Sequence, residues 1–205
     1  MSLKSSMELL LALLYANNSE EIIGATRLVK MMFLLIKEGG FEKFEEELEF
    51  EAWDFGPWSA NITLDFPQTL EELEVLEISD IADYELDYDS LFFADFEELD
   101  NVKSYKLSEK GNKVGKVYFE RLSEIERTEV ERIKYIWNNK RLCELIDYVY
   151  LRYADYTKKS RIRTRVFTKL GISSRIASLI GIIPYTSLEE EKEVTRKIIY
   201  GSHRH

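Results

Sequence analysis

Few residues in this chain are of the types that carry common chemistry. The only two histidines, His203 and His205, lie in the last three positions, and Cys143 is the only cysteine. Most hydrolytic and nucleophilic sites draw on a group that titrates near neutral pH, usually histidine. A Ser-His-Asp or Cys-His site would therefore have to recruit a terminal histidine. One cysteine excludes an internal disulfide framework and a Cys-His zinc cluster. Neither G-x-x-x-x-G-K-[ST] nor G-x-G-x-x-G occurs, so the common phosphate-cradling loops are missing. Carboxylate-only Mg²⁺ chemistry is the enzymatic alternative. Glu190 and Lys192 form an E-x-K, but within a charged helical run that reads as a solvated face. The reading is of a protein that is not an enzyme, with no catalytic residue, no cofactor and no metal.

Two constellations remain. The first is an aromatic turn, Trp53, Phe55, Gly56, Pro57, Trp58 and Ser59, in which Gly-Pro marks the turn. Its tryptophans either stack on a ligand or staple a strand to a helix. The second is a basic run, Lys158, Lys159, Arg161, Arg163, Arg165, Lys169 and Arg175, lying within residues 156–175, which contain no Asp or Glu. Such a run can contact phosphates. It can equally dock on the chain's own acidic face, dock on that of a second subunit, or stay solvated.

The elements that must position these residues follow from periodicity. Leu9, Leu10, Leu13 and Leu14 recur at helical spacing, predicting a helix over 5–17 that ends at Asn17-Asn18. Gly24 opens a second helix with Leu28, Met31, Met32 and Leu35 on one face, closing at Gly39-Gly40. Glu47, Glu49 and Glu51 alternate with Leu48, Phe50 and Ala52, which predicts a half-exposed strand. Pro57 suits the start of the next helix, which runs to Asp65, stops before Pro67 and resumes over Thr69–Leu73. Residues 75–107 read as a long hairpin: Tyr84, Leu86 and Tyr88 alternate in one arm, Tyr105 and Leu107 in the other, with an acidic loop at Asp95–Asp100 between. Ser108 is a helix N-cap, and Ser123 with Glu126 forms a capping box. The helix after Ser123 carries Ile133, Ile136 and Trp137, and a further one carries Leu142, Leu145, Ile146, Val149 and Tyr150. Thr157–Leu170 reads either as a strand with a basic face or as a helix charged around most of its circumference. Pro184 follows an apolar stretch, Ile176–Ile183, and precedes a second capping box, Ser187 with Glu190, and a last helix.

This order predicts an α+β, mainly helical fold: a winged-helix-like N-terminal unit over 1–107 with a long acidic β-hairpin wing, a helical extension over 108–155, and a basic C-terminal segment with a terminal helix over 156–205. Thr26–Leu35 (T-R-L-V-K-M-M-F-L-L) resembles the G-x-x-(K/R)-L-x-K-x-x-(Y/F)-L segment of a loose microbial family. Phe50–Ser59 (F-E-A-W-D-F-G-P-W-S) resembles that family's F-x-x-(Y/W)-x-(Y/F)-G-P-(Y/F)-S. Tyr105–Gly111 (Y-K-L-S-E-K-G) is similar to the Y-x-L-T-x-x-G that ends many of its wings. The family comprises archaeal and bacterial winged-helix-like proteins distantly similar to the Panacea, or SocA-type, antitoxin-like domain, and the likeness spans about residues 5–155. It implies a non-catalytic regulatory or adaptor module that acts by binding a partner protein. It carries over no catalytic residue, and the basic run after Tyr156 has no counterpart in it.

Charge refines the expectation. The 205 residues hold 28 Lys+Arg against 38 Asp+Glu, a net of -10. Residues 41–100 carry 21 of those acids and one base, Lys43. A winged helix that binds DNA in the usual way needs cations on its third helix and its wing, yet no Lys or Arg occurs between Lys43 and Lys103. A surface this acidic repels DNA. The alternative to a protein-binding module is thus a transcriptional regulator that grips nucleic acid through 156–175. Opposed charge blocks also favour self-association, with a homodimer expected. No apolar run reaches the roughly 18 residues of a membrane helix, and no secretory signal pattern is present, so a cytoplasmic address without a membrane partner is expected. One glutamine, Gln68, amid many charges points toward a thermophilic microbe.

Overall fold

In a computed structural model the described residues are 2–81, 102–173 and 176. The expected arm at Tyr84–Tyr88, the acidic loop at Asp95–Asp100, Arg175, the stretch after Ile176, the second capping box, the E-x-K and both histidines lie outside them. The described part is α+β and mainly helical.

Helix α1 (Ser6–Ser19) buries Leu9, Leu10, Leu13 and Leu14 almost completely. Ser5 caps its start by accepting from Glu8 N at 3.3 Å, and the Glu47 carboxylate accepts from Ser6 N at 2.8 Å. Regular helix ends at Ala16, after which Asn17, Asn18 and Ser19 take positive φ of 53°, 59° and 55°. Asparagine tolerates that region best among residues with a Cβ, so the expected stop at Asn17-Asn18 is where the helix fails. A two-residue strand β1 (Ile22–Ile23) leads into α2 (Ala25–Glu38), closed by Gly39-Gly40 as its sequence signals. Every residue of α2 from Arg27 to Ile36 is buried, so α2 is the central helix of the fold.

The strand expected over Glu47–Ala52 is mostly absent. A short helix α3 (Glu45–Leu48) follows a 3₁₀ turn at Glu42–Phe44, and strand β2 is confined to Glu51–Trp53. Phe41, Phe44 and Leu48 are all buried, and their spacing of three and four is helical. That period competes with the two-residue alternation and prevails because all three side chains reach the core. Glu49, at φ 46°, breaks the helix.

Strand β3 (Gly56–Trp58) pairs antiparallel with β2, placing Ala52 opposite Pro57. Pro57 is therefore in a strand and does not start a helix, because an edge pair this short tolerates its missing N–H. Nor does the helix stop before Pro67. A wide π turn at Asn61–Asp65 runs directly into α4 (Phe66–Glu72), with Pro67 in its first turn and Phe66 N donating to Asn61 O five residues back. The wide turn is where a helix absorbs the proline's missing donor.

Strands β4 (Leu76–Ile81) and β5 (Val102–Leu107) form the base of the expected hairpin, in register from Leu76↔Leu107 to Ile81↔Val102. With β1 they make an antiparallel sheet of order β1-β5-β4. Tyr105 and Leu107 face inward, as their alternation predicts. Helix α5 (Glu109–Arg121) begins at Ser108, whose Oγ accepts from Gly111 N at 2.9 Å. A Cβ at Gly111 would sit 1.9 Å from Val75 O, so this glycine lets the helix start against the end of β4. Helix α6 (Glu124–Asn139) opens on the predicted Ser123–Glu126 capping box, and α7 (Leu142–Arg152) follows. The main core runs unbroken from Leu3 through Leu107 and Ile133 to Val149.

Thr157–Leu170 is helical where it is regular: α8 (Arg163–Lys169) follows a 3₁₀ turn at Ala154–Thr157 and further turns. Ile162, Val166 and Phe167 join Ile146 and Tyr150 of α7 in a second buried cluster. The i, i+4 spacing of Ile162 and Val166 decides for helix over strand.

Two buried cations finish helix ends. Lys134, fully buried on α6, donates from Nζ to Leu14 O and Ala16 O at 2.8 Å each, at the end of α1. Arg27 donates to Trp137 O, to Lys140 O at 2.7 Å and to Ile23 O at 3.3 Å. Each supplies donors to carbonyls that a helix terminus or loop leaves open.

Candidate functional site

The aromatic turn and the basic segment meet at one corner of the molecule. The β2–β3 hairpin stacks Trp53 on Trp58, with ring centroids 5.4 Å apart and 27° between planes. Trp53 is 46% exposed. The tryptophans thus stack on each other, neither stapling a strand to a helix nor lying bare. Gly56, at φ 90°, has Tyr150 on one side and Lys30 on the other: a Cβ there would lie 3.1 Å from the Tyr150 ring and 3.6 Å from Lys30 Nζ. Both the positive φ and the close approach call for glycine. Ser59 is fully buried and donates from Oγ to Leu48 O at 2.6 Å, tying the hairpin to the end of α3.

Under the stack lies a cavity of about 190 Å³. Ala25, Thr26, Val29 and Lys30 of α2 form one wall, the hairpin from Trp53 to Trp58 the other, and Thr63 closes the end. Lys30 is 2% exposed and donates to Pro57 O at 2.8 Å. Burial lowers its pKa from 10.5 to about 7. Lys134 undergoes the same shift to about 7 for the same cause, opposed by the nearby charge of Glu20. Lys30 did not stand out among the expected site residues. The signal was nonetheless present, because α2 is apolar at almost every position from Leu28 to Ile36 and leaves Lys30 no polar face to occupy.

The basic segment reaches the same corner at Arg161. Its guanidinium pairs with the Asp54 carboxylate at 3.0 Å, its N–H donates to Asp54 O at 3.1 Å, and Ser160 Oγ donates to the same carbonyl at 2.8 Å. Docking on the chain's own acidic block, one of the readings left open, therefore occurs at this point. The other cations are spread out. Lys158 pairs with Asp155 at 2.6 Å, Lys169 pairs with Asp147 at 3.2 Å, and the Arg163 guanidinium lies 5.3 Å from the Phe167 ring centre. Lys159 and Arg165 are exposed.

A second polar cluster ties α2 to α7. The Glu38 carboxylate accepts from Tyr148 Oη at 2.8 Å and Tyr153 Oη at 2.7 Å, and lies 3.0 Å from Arg152 Nε. Burial, followed by the Glu38 charge, pushes the Tyr153 hydroxyl well above its usual range. Among the described residues, no group of three His, Cys, Asp or Glu side chains could hold a metal ion, and no helix is long and apolar enough to cross a membrane. No protein-family model, curated protein or solved structure matches the chain.

Proposed function

We propose that the chain is a non-catalytic interaction module of regulatory or adaptor type, with a winged-helix-like N-terminal unit, and that it binds a protein partner at the corner formed by the Trp53–Trp58 stack, α2 and Arg161. The observation that carries this reading is the convergence of three chain-distant features, α2, the G-P-W-S hairpin and the basic segment, around one cavity rimmed by a half-exposed tryptophan. Tryptophan and arginine are the residues most enriched where partners bind tightly. The winged-helix part is supported by element order, with α1, β1, α2 and α4 preceding a hairpin, and by the sheet order β1-β5-β4. The resemblance of the three motifs to the antitoxin-like family points the same way.

The nucleic-acid alternative has less behind it. The exposed residues of α4 and its approach include Asp65, Gln68, Thr69, Glu71 and Glu72, a face that phosphates would avoid. Arg161, Lys158 and Lys169 already hold carboxylate partners. Panning a displayed peptide library on the full chain, with counter-selection on Trp53→Ser, tests the proposal. Peptides that bind the parent and lose binding with Trp53→Ser and with Arg161→Ser are expected. Enrichment indifferent to both substitutions would refute the site. Anisotropy with a labelled random duplex at about 50 and 200 mM salt tests the alternative, since binding through several phosphates collapses over that range.

A further inference from the structure

The three buried cations of the core are not equally provided for. Arg27 donates to three carbonyls and Lys134 to two, but Lys30 donates only to Pro57 O. Two of the three protons of its ammonium have no acceptor among the described residues, and no carboxylate lies within ion-pair distance. Lys30 also differs in lining a cavity, and the same cavity is walled by Trp53, Trp58 and Phe55. A buried ammonium without counter-charge or acceptors is costly, and here the missing partner can enter from outside.

We propose that this cavity is a receptor for a carboxylate carried on a small flat apolar body, with Lys30 Nζ binding the carboxylate and the tryptophan pair covering the body. A carboxylate brings the counter-charge, and its oxygens can take the two protons that Lys30 leaves unused. The apolar body follows from the walls: Val29 and Ala25 face the rings of the hairpin across the space. Size limits the body to about one ring, since 190 Å³ equals the liquid volume of about six waters and falls short of the ~300 Å³ at which drug-sized sites begin. Asp54, the only carboxylate in the lining, is neutralised by Arg161 and does not repel the anion. The free acid and the C-terminal residue of a peptide present the same chemistry. The proposal deepens the interaction-module reading and rests on it only where the carboxylate belongs to a protein partner.

The test uses the full chain labelled with ¹⁵N and follows its three tryptophan indole signals. Trp137, buried on α6 against Tyr148, serves as the remote reference. Phenylacetate and phenylacetamide are titrated in parallel, as are an N-acetylated tetrapeptide ending in a free phenylalanine carboxylate and its C-terminal amide. Trp53 and Trp58 should shift saturably while Trp137 stays still. Each acid should bind more than about tenfold tighter than its amide, as a desolvated charge pair requires. Lys30→Met should erase the preference for acid over amide with the Trp137 signal unmoved. Trp53→Ser, at an exposed position, should weaken acid and amide alike and keep the preference, which holds the test open if Lys30→Met does not fold. Equal binding of acid and amide, or no shift of Trp53 and Trp58 by any acid up to about 10 mM, overturns the proposal. Phenylacetate binding without peptide binding identifies a free acid as the ligand, and the converse identifies a chain terminus. If panning fails while phenylacetate binds, the protein-partner reading falls and the receptor stands. If panned peptides bind without regard to a carboxylate, the receptor falls and the module stands.

Discussion

Raising the pH from 7 to 9 should stabilise this protein, and two lysines should account for most of the gain. Lys30 and Lys134 each have a native pKa of about 7, against an ordinary value of 10.5. Above the native value and below the ordinary one, the unfolded chain holds a proton that the native state lacks, so stability rises with pH. The contribution is complete above 10.5 and is lost as pH falls through 7. Integrating the proton difference between pH 7 and 9 gives about 2 kcal/mol for each lysine. Lys134 loses little hydrogen bonding when it deprotonates, because a neutral amine still has two N–H groups for Leu14 O and Ala16 O. Urea unfolding midpoints at pH 7, 8 and 9 measure the effect, with the m-value checked for constancy. Above pH 10 the sign reverses: burial raises the Tyr105 and Tyr150 hydroxyls, so the unfolded chain would release protons first. Lys30→Met and Lys134→Met should each remove about half of the pH-dependent gain, whatever they do to stability at pH 7. Comparing parent and variant at each pH cancels the other titrations, Cys143 included. A parent slope unchanged in both variants would refute the assignment of buried, uncompensated ammonium groups.

Other consequences are local. Gly111→Ala drives a Cβ to within 1.9 Å of Val75 O and should destabilise by more than about 2 kcal/mol, whereas Gly40→Ala, with nothing within 4 Å of its Cβ and φ 81°, should cost only the ~1–2 kcal/mol of a left-handed alanine; both are read from urea midpoints. Ser59→Ala leaves Leu48 O without its 2.6 Å donor and should cost about 1–3 kcal/mol, with Ser59→Thr as the partial rescue. Asp54→Asn removes the Arg161 ion pair, but with the Arg161 side chain 59% exposed screening should hold the stability loss within about 1 kcal/mol. If opposed charges pair the chain as a homodimer, sedimentation velocity should show association at about 50 mM salt that dissolves at about 500 mM; a monomer at both salts removes that expectation.

Local chemistry decided much of this fold before any tertiary contact. Ser108 and the Ser123–Glu126 pair announce helix starts because their side chains satisfy N–H groups three residues on, a matter of spacing alone. Gly24, Asn17-Asn18 and Gly39-Gly40 mark helix ends because few other residues tolerate the dihedrals found there. The tight contact at Gly111 lay in the wing-end pattern, although only the neighbouring strand shows why a side chain is forbidden. Tertiary structure decided wherever two local patterns competed. Glu47–Ala52 carried an alternation suited to a strand, but Phe41, Phe44 and Leu48 reached the core at helical spacing and buried more apolar surface. Thr157–Leu170 was undecided until the face of α7 with Ile146 and Tyr150 received Ile162 and Val166.

The candidate site divides the same way. Composition alone set out the aromatic turn and the basic run, and the sequence of α2 required that Lys30 be buried. That these three meet is a property of packing. Residues 30, 53 and 161 come together only because α2, the hairpin and the turn before α8 share one corner. Whether a buried ammonium is satisfied depends on which carbonyls the fold brings to it: two for Lys134, one for Lys30. Hydrogen-bond partners more than 25 residues away leave no periodicity in a sequence, so that difference is written in the tertiary structure alone.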